Sequence, residues 1–265
     1  MKIAAVQMVS TPDVARNLDA AARLIAEAAA AGARLVALPE YFCLMGRKDT
    51  DKLALAEADA AGPIQQMLSD QARLRGVWVV GGTLPMRTDS PDRVRNSCCV
   101  YGPDGRRVAR YDKLHLFAFD NGNERYDEGR VLEAGSTPAA FDADGLRVGL
   151  SICYDLRFPE LYRALASPPC DLVCVPSAFT HTTGRAHWEL LLRARAVENQ
   201  CYVLAPAQGG EHENGRRTWG HSMVVDPWGE VLGLRETGPG IVLAQLDIER
   251  IASVRRQLPA LEHRR

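Results

Sequence analysis

VGLSICYDLRFPELY, residues 148–162, runs from a strand through a turn into a helix. Val148–Ile152 has the length and apolar character of a buried strand, Cys153 stands where that strand ends, and helical spacing takes over across 159–167. The same order recurs on either side. Downstream, Asp171–Val175 and Cys201–Ala205 are short apolar strands with a helical stretch over 185–199 between them. Upstream, residues 2–9 read as a first strand, and Thr11-Pro12 offers an N-cap and a first-turn proline. Leu18, Ala22, Ile25 and Ala29 then repeat at helical spacing up to a stop at Gly32. RLVAL at 34–38 is a buried strand ending at Pro39-Glu40, 63–75 is helical, and Val77–Val80 runs into Gly81-Gly82. Hairpins are interposed: Ser97–Tyr101 and Arg106–Arg110 flank Pro103-Asp104-Gly105, and residues 221–225 and 230–234 flank Asp226-Pro227-Trp228-Gly229. Ile241–Leu246 is a last strand, followed by a short helix and a polar tail. Alternating strands and helices predict an α/β protein, and the hairpins predict mixed sheets. With no linker and no short-period repeat, one domain spanning 1–265 is the economical reading.

Composition narrows the function. Of the 265 residues, 46% are hydrophobic and 25% charged, ordinary proportions for a globular protein. A formal net charge of −1 gives no electrostatic reason to expect nucleic acid or an anionic membrane as a partner. The opening MKIAAVQMV lacks a following cleavage site and reads as a strand rather than a signal peptide. No apolar stretch approaches the roughly 20 residues that span a bilayer. The seven cysteines (43, 98, 99, 153, 170, 174, 201) are odd in number and show no C-x-x-C spacing, which predicts reduced thiols and a cytoplasmic protein. Cys98 and Cys99, being adjacent, should face opposite sides of a strand. The six histidines form no recognised metal spacing, so neither a metal nor an organic cofactor is expected.

Three reactive side chains sit at or near strand ends. A glutamate is ordinarily a solvated surface residue, but Glu40 lies among Leu38, Pro39, Tyr41 and Phe42. A carboxylate in such a setting resists ionisation and can move protons near neutral pH. A free cysteine is ordinarily a small buried hydrophobe, which suits Cys98, Cys99, Cys174 and Cys201 inside apolar strands. Cys153 differs, because a strand end followed by a turn should expose its thiol beside the next backbone N–H, as a nucleophile with an oxyanion donor requires. Lys113, among Tyr111, Leu114 and Phe117, is open to two readings: a lysine that snorkels to the surface, or a fixed positive charge for a developing oxyanion.

Taken in order, LPEYF, YDKLHLF and SICYDLRFPELY resemble the three signature blocks of the nitrilase (carbon–nitrogen hydrolase) superfamily. AAVQM, AHWELLLRARAVENQCYVLAP and GHSMVVDPWGEVL extend the likeness over nearly the whole chain. The resemblance implies a four-layer α-β-β-α sandwich of two mixed sheets, self-associating through its outer helices as a homodimer or larger homo-oligomer. It implies Glu40 as general base, Cys153 as nucleophile and Lys113 as support for the tetrahedral intermediate. A fourth carboxylate of the family aligns best with Glu128, seven residues before Gly135, with Glu124 the competing candidate.

The implied reaction is amide hydrolysis through a Cys153 thioester, the oxyanion being held by Lys113 and the backbone N–H of Tyr154. CYDLRFPELY and HLFAFDNGNERYDEG are similar to the amidase branch that acts on deaminated glutathione or short dicarboxylic acid amides such as α-ketoglutaramate. Such a substrate carries a carboxylate, for which Arg157 is the candidate anchor; the other reading has Arg157 bracing its turn through Glu160 or Asp155. Phe179, Thr180 and His181 follow a strand end and either line the pocket or pack as an ordinary loop. Rival functions are a nitrile or N-carbamoyl hydrolase with the same trio, a catalytically silent binding protein of the same fold, and an ammonia-supplying glutaminase subunit.

Overall fold

In the computed structural model, which describes residues 1–265, the parallel strands of two mixed sheets carry most of the chain's regular apolar runs. The first sheet has the spatial order Gly240–Gln245, Lys2–Gln7, Leu35–Ala37, Trp78–Val80, Val94–Tyr101, Leu84–Arg87, with Arg107–Asp112 also paired to Val94–Tyr101. Its strands Lys2–Gln7, Leu35–Ala37 and Trp78–Val80 are parallel, and the remaining pairings are antiparallel. The second sheet runs Val231–Arg235, Ser222–Val225, Tyr202–Ala205, Leu172–Cys174, Leu146–Leu150, Ala139–Ala143, with Leu146–Leu150, Leu172–Cys174 and Tyr202–Ala205 parallel.

The period-two alternation of each strand sets the layers. Ala4 and Val6 pack with Leu24, Ile25 and Leu68 of the helices Val14–Ala30 and Pro63–Arg75, outside the first sheet. Ile3 and Ala5 point the other way, into an inter-sheet core shared with Leu204 and Val224. Beyond the second sheet, Leu161 and Leu165 of the helix Pro159–Leu165 pack with Trp188 and Leu192 of the helix His181–Asn199. The result is the α-β-β-α sandwich that the resemblance implies. Each fully buried Leu, Ile or Val contributes roughly 1.5–3 kcal/mol. Cys98 faces the inter-sheet core and Cys99 the outer helices, the opposite-face arrangement expected of neighbours on a strand.

One helix start differs from expectation. Asp13, not Thr11, caps Val14–Ala30, its side chain accepting the Arg16 N–H. Thr11 Oγ1 instead accepts the Asp13 N–H at 3.1 Å and shapes the approach to the cap. No helix is long and apolar enough to cross a membrane.

Candidate active site

The turns that follow parallel strands in the two sheets open toward one another, the usual place for a site in α/β sheets. Past Leu35–Ala37 the chain turns at Glu40 and Tyr41, and Tyr41 adopts the left-handed region at φ 56°. The turn is held by the Tyr41 N–H, which donates to Thr83 Oγ1 at 2.9 Å, and by Gln208 Nε2, which donates to the Glu40 carbonyl at 3.0 Å. Gly82 lies beneath it, and a Cβ there would stand 2.2 Å from the Pro39 carbonyl oxygen. Past Leu146–Leu150, Cys153 is also left-handed, at φ 48°, and begins a short 3-10 turn that runs to Arg157. Two non-glycine residues in this region, each flanking or bearing a reactive group, mark strain of a kind that clusters at functional sites.

Asp155 ties the turn of Cys153 to the segment that carries Lys113. Its fully buried carboxylate accepts the Ile152 N–H at 2.8 Å and the Tyr111 hydroxyl at 2.7 Å on Oδ2, and the His115 N–H at 3.0 Å on Oδ1. His115 Nδ1 lies 2.7 Å from the same Oδ1. Lys113 itself is anchored at both ends of its peptide unit, its N–H donating to the Asn96 carbonyl at 3.0 Å and its carbonyl accepting from Gly135 at 2.9 Å. Gly135 has no room for a side chain, since a Cβ would meet the Asp112 carbonyl oxygen at 2.3 Å.

These turns bring Glu40, Lys113, Glu128 and Cys153 together. Lys113 is 1% exposed, which excludes the snorkelling reading, and its ammonium donates to Glu40 Oε1 at 2.8 Å and Glu128 Oε2 at 2.8 Å. Glu40 is 1% exposed, and its Oε1 also accepts Asn96 Nδ2 at 2.9 Å. Its Oε2 takes neither of these donors, and the neighbouring Cys153 thiol acts to lower the proton affinity of the carboxyl. Glu128 further accepts the Phe117 N–H at 2.7 Å and the Tyr41 hydroxyl at 2.7 Å. Glu124, the competing carboxylate, sits in the turn between Ala118–Asp120 and Arg125–Asp127, with its N–H on Asn121, and forms no ion pair with Lys113.

Burial and charge set the proton affinities. Burial pushes the Glu40 carboxyl up, against the pull of the Lys113 charge. Burial also favours neutral forms of Lys113 and Glu128, but their mutual attraction overcomes it: the ammonium is held well above its ordinary range and the Glu128 carboxyl below its own. The Cys153 thiol is pushed well up, first by burial and then by the Glu40 charge, with Lys113 opposing. Here the sequence reading needs correction: Cys153 is not exposed at its strand end but 7% accessible, because Ala178 and the turn that bears it close over the sulfur. The neighbouring Tyr154 N–H, second in the 3-10 turn, has no acceptor within the protein.

A small, narrow cavity opens over Cys153, walled by Phe117, Tyr154, Ala178 and Phe179, with Thr180 and Arg157 at its polar edge. The Arg157 guanidinium lies 5.4 Å from the Phe179 ring centroid and 5.9 Å from that of Tyr154, and its Nη1 is 3.2 Å from His187 Nδ1. It braces neither Glu160 nor Asp155, whose oxygens are taken by Tyr111, His115 and Ile152. His181 does not line the cavity; its ring packs edge-on against Trp219 at 5.1 Å. Asn96, Asp155 and the Tyr41 hydroxyl escaped the sequence reading, although Tyr41 and Asp155 lie inside two of its motif blocks. No cluster of side chains suited to a metal ion is present.

The carbon–nitrogen hydrolase family matches residues 2–256. A deaminated glutathione amidase of Synechocystis sp. is 41% identical over 98% of this chain and 97% of its own. Omega-amidase NIT2 of Homo sapiens is 38% identical over 100% of this chain and 95% of its own. Among solved structures, the C. elegans NitFhit protein superposes with a TM-score of 0.93 at 38% identity, covering 100% of this chain, which spans 65% of that longer one. An amidase from Nesterenkonia sp. AN1, with acrylamide added at its active-site cysteine, superposes with a TM-score of 0.82 at 29% identity over 98% of both chains. By sequence across its length and by fold, the chain belongs to the carbon–nitrogen hydrolase family.

Proposed function

We propose that this enzyme hydrolyses the amide of a small carboxylate-bearing substrate by covalent catalysis at Cys153. Glu40 takes the thiol proton as sulfur attacks the amide carbon, and the oxyanion is held by the Lys113 ammonium and the Tyr154 N–H. Collapse expels the amine or ammonia, protonated by Glu40, and leaves an acyl thioester. Water activated by Glu40 then releases the acid and restores the thiol. Glu128 holds Lys113 in place. Splitting one hard displacement into two easier ones is what a covalent nucleophile achieves.

The substrate reading rests on Arg157, the one charged side chain at the edge of a cavity whose walls include the rings of Phe117, Tyr154 and Phe179. A single fixed guanidinium opposite a thiol suits an amide at one end of a short chain and a carboxylate at the other. α-Ketoglutaramate and deaminated glutathione meet this pattern, and both would leave the same 2-oxoglutaryl group on sulfur. They differ only in the leaving group, ammonia or an amino-terminal dipeptide. The relatives' names support both choices.

The test follows 2-oxoglutarate release from both compounds beside nitriles and N-carbamoyl acids, with Cys153→Ala as control. Turnover of an amide by wild type only, with a 2-oxoglutaryl adduct trapped on Cys153 by mass spectrometry, supports the reading. Turnover that survives Cys153→Ala defeats the mechanism, and activity confined to nitriles or N-carbamoyl acids defeats the substrate class. We also propose a homodimer through the outer face of His181–Asn199, where Leu190 (68% exposed), Val197 (46%) and Trp228 (52%) form an uncovered apolar patch.

A further inference from the structure

Beyond Glu128, on the side away from Lys113, lies a group with no part in the reaction above. Lys52 belongs to the short helix Asp51–Leu55 and is only 8% exposed, yet its ammonium makes no hydrogen bond. Its nearest anion is Asp49 Oδ1 at 3.6 Å. A mostly buried cation whose one ion pair is with an exposed carboxylate at 3.6 Å is costly unless something else replaces the water it has lost. What replaces it here is the face of Tyr41, whose ring centroid lies 4.6 Å from Nζ. Tyr41 is itself 6% exposed, held at positive φ immediately after Glu40, and its hydroxyl donates to Glu128 Oε1 at 2.7 Å. A cation, an aromatic face, a hydroxyl and a carboxylate therefore stand in line, ending on the residue that fixes Lys113.

Packing alone accounts for part of this. The Tyr41 ring fills space beside Met45 and Ala178, which a phenylalanine would fill as well. It does not account for the hydroxyl aimed at Glu128, nor for an ammonium held over the face of the ring. Glu128 has two oxygens and several donors: Lys113 reaches both, the Phe117 N–H takes Oε2, and the Tyr41 hydroxyl alone among the remaining donors reaches Oε1. Without that hydroxyl the carboxylate can pivot about its Lys113 contact, and the ammonium moves with it.

We propose that Tyr41 and Lys52 form a positioning pair, in which the Tyr41 hydroxyl, strengthened as a donor by the Lys52 cation over its ring, locks Glu128 and through it aims Lys113 at the oxyanion. The inference rests on the Glu40–Lys113–Cys153 chemistry proposed above. Neither residue touches substrate, so each acts through Glu128 alone.

The test is a double-mutant cycle in the full-length protein, read as kcat and KM on an amide that wild type turns over, with thermal melts as folding controls. Tyr41→Phe should lower kcat about tenfold, the worth of one hydrogen bond to a charged group, with KM within about twofold of wild type. Lys52→Met should lower kcat about threefold and Lys52→Arg should restore it. The Tyr41→Phe/Lys52→Met double variant should be no slower than Tyr41→Phe, and Tyr41→Phe should add nothing in a Glu128→Gln background. Additive losses, or losses matched by lowered melting temperatures and not rescued by arginine, assign the pair to packing and overturn the proposal. A Glu128→Gln enzyme with wild-type kcat overturns the chemistry beneath it, whereas an impaired Glu128→Gln enzyme beside an unimpaired Tyr41→Phe enzyme overturns this inference alone.

Discussion

Replacing Asp155 by Asn tests the link between the nucleophile's turn and the lysine's segment. The carboxylate is fully buried and serves four donors, two on each oxygen. An asparagine of the same shape has one oxygen and an NH2 in place of the other. With nitrogen at the Oδ2 position, the Tyr111 hydroxyl can turn to accept, but the Ile152 N–H faces a donor. With nitrogen at the Oδ1 position, His115 Nδ1 can accept as the other tautomer, but the His115 N–H is orphaned. Either way one backbone N–H loses its partner, at about 1–3 kcal/mol, and the three remaining charge-assisted bonds become neutral ones. A total near 3 kcal/mol is expected. With a urea slope of roughly 3 kcal/mol per molar, the unfolding midpoint should fall by about 1 M. Tryptophan fluorescence against urea, at one fixed protein concentration because the proposed dimer would add stability by mass action, measures it. Below the transition, kcat should fall more than about tenfold, since the turn that holds Cys153 at positive φ and the segment carrying Lys113 lose their common anchor. A midpoint within about 0.2 M of wild type would refute the idea that this carboxylate carries the connection.

Alkylation of Cys153 by iodoacetamide should keep accelerating with pH beyond the ordinary thiol range, because burial and the Glu40 charge hold the proton on sulfur; a plateau near neutral pH, followed by mass spectrometry, would contradict this. Glu128 titrates below its ordinary value when folded, so the stability it contributes is present above the unfolded carboxylate pKa and lost as pH falls through the folded one. The stability gap between wild type and Glu128→Gln, from urea melts, should therefore close as pH drops from about 5 to about 3. Leu190→Glu combined with Trp228→Ala should convert a dimer to monomer in light scattering while leaving the monomer's fold intact by circular dichroism. Arg157→Met should raise KM for a carboxylate-bearing amide by about tenfold or more while sparing the corresponding neutral amide.

What the sequence made legible was whatever depends on local pattern. Parallel strands buried on both faces, such as Leu35–Ala37 and Leu172–Cys174, read as apolar runs because no face alternates toward water. Glu40 and Cys153 could be picked out because each follows such a run directly. Elements stabilised by partners far along the chain were harder to see. Leu84–Arg87 contains Pro85, which argues against a central strand, and it lies at the edge of its sheet, where a proline is tolerated. Asp51–Leu55 is too short to show a helical period, and nothing in its sequence sets Lys52 apart from a surface lysine. The burial of Lys113 is set by Glu40 and Glu128, contacts 73 and 15 positions away, and spacing alone could not choose between snorkelling and a fixed charge. Asn96 was invisible for the same reason: only the pairing of Val94–Tyr101 with its neighbours brings it under Glu40.

The buried charges also account for the raised proton affinity of Cys153, the proposed nucleophile. Two carboxylates, Glu40 and Glu128, already share the ammonium of Lys113, and ionising Cys153 would add a third negative charge in the same enclosed space. The proton therefore stays on sulfur until an amide carbon is within reach. In the proposed attack the charge never settles on sulfur: as the C–S bond forms, the proton passes to Glu40 and the negative charge appears on the carbonyl oxygen. That oxygen faces Lys113 and the Tyr154 N–H, groups already ordered before substrate arrives, so little reorganisation is needed when the charge develops. The raised proton affinity of Glu40 serves the second half of the cycle, since a carboxyl that holds its proton can hand it to the leaving nitrogen. A lysine kept protonated by Glu128 cannot take that proton itself. In the proposed reaction the division of labour follows from placement: the carboxyl beside the thiol moves protons, and the one locked by Tyr41, the Phe117 N–H and Lys113 does not.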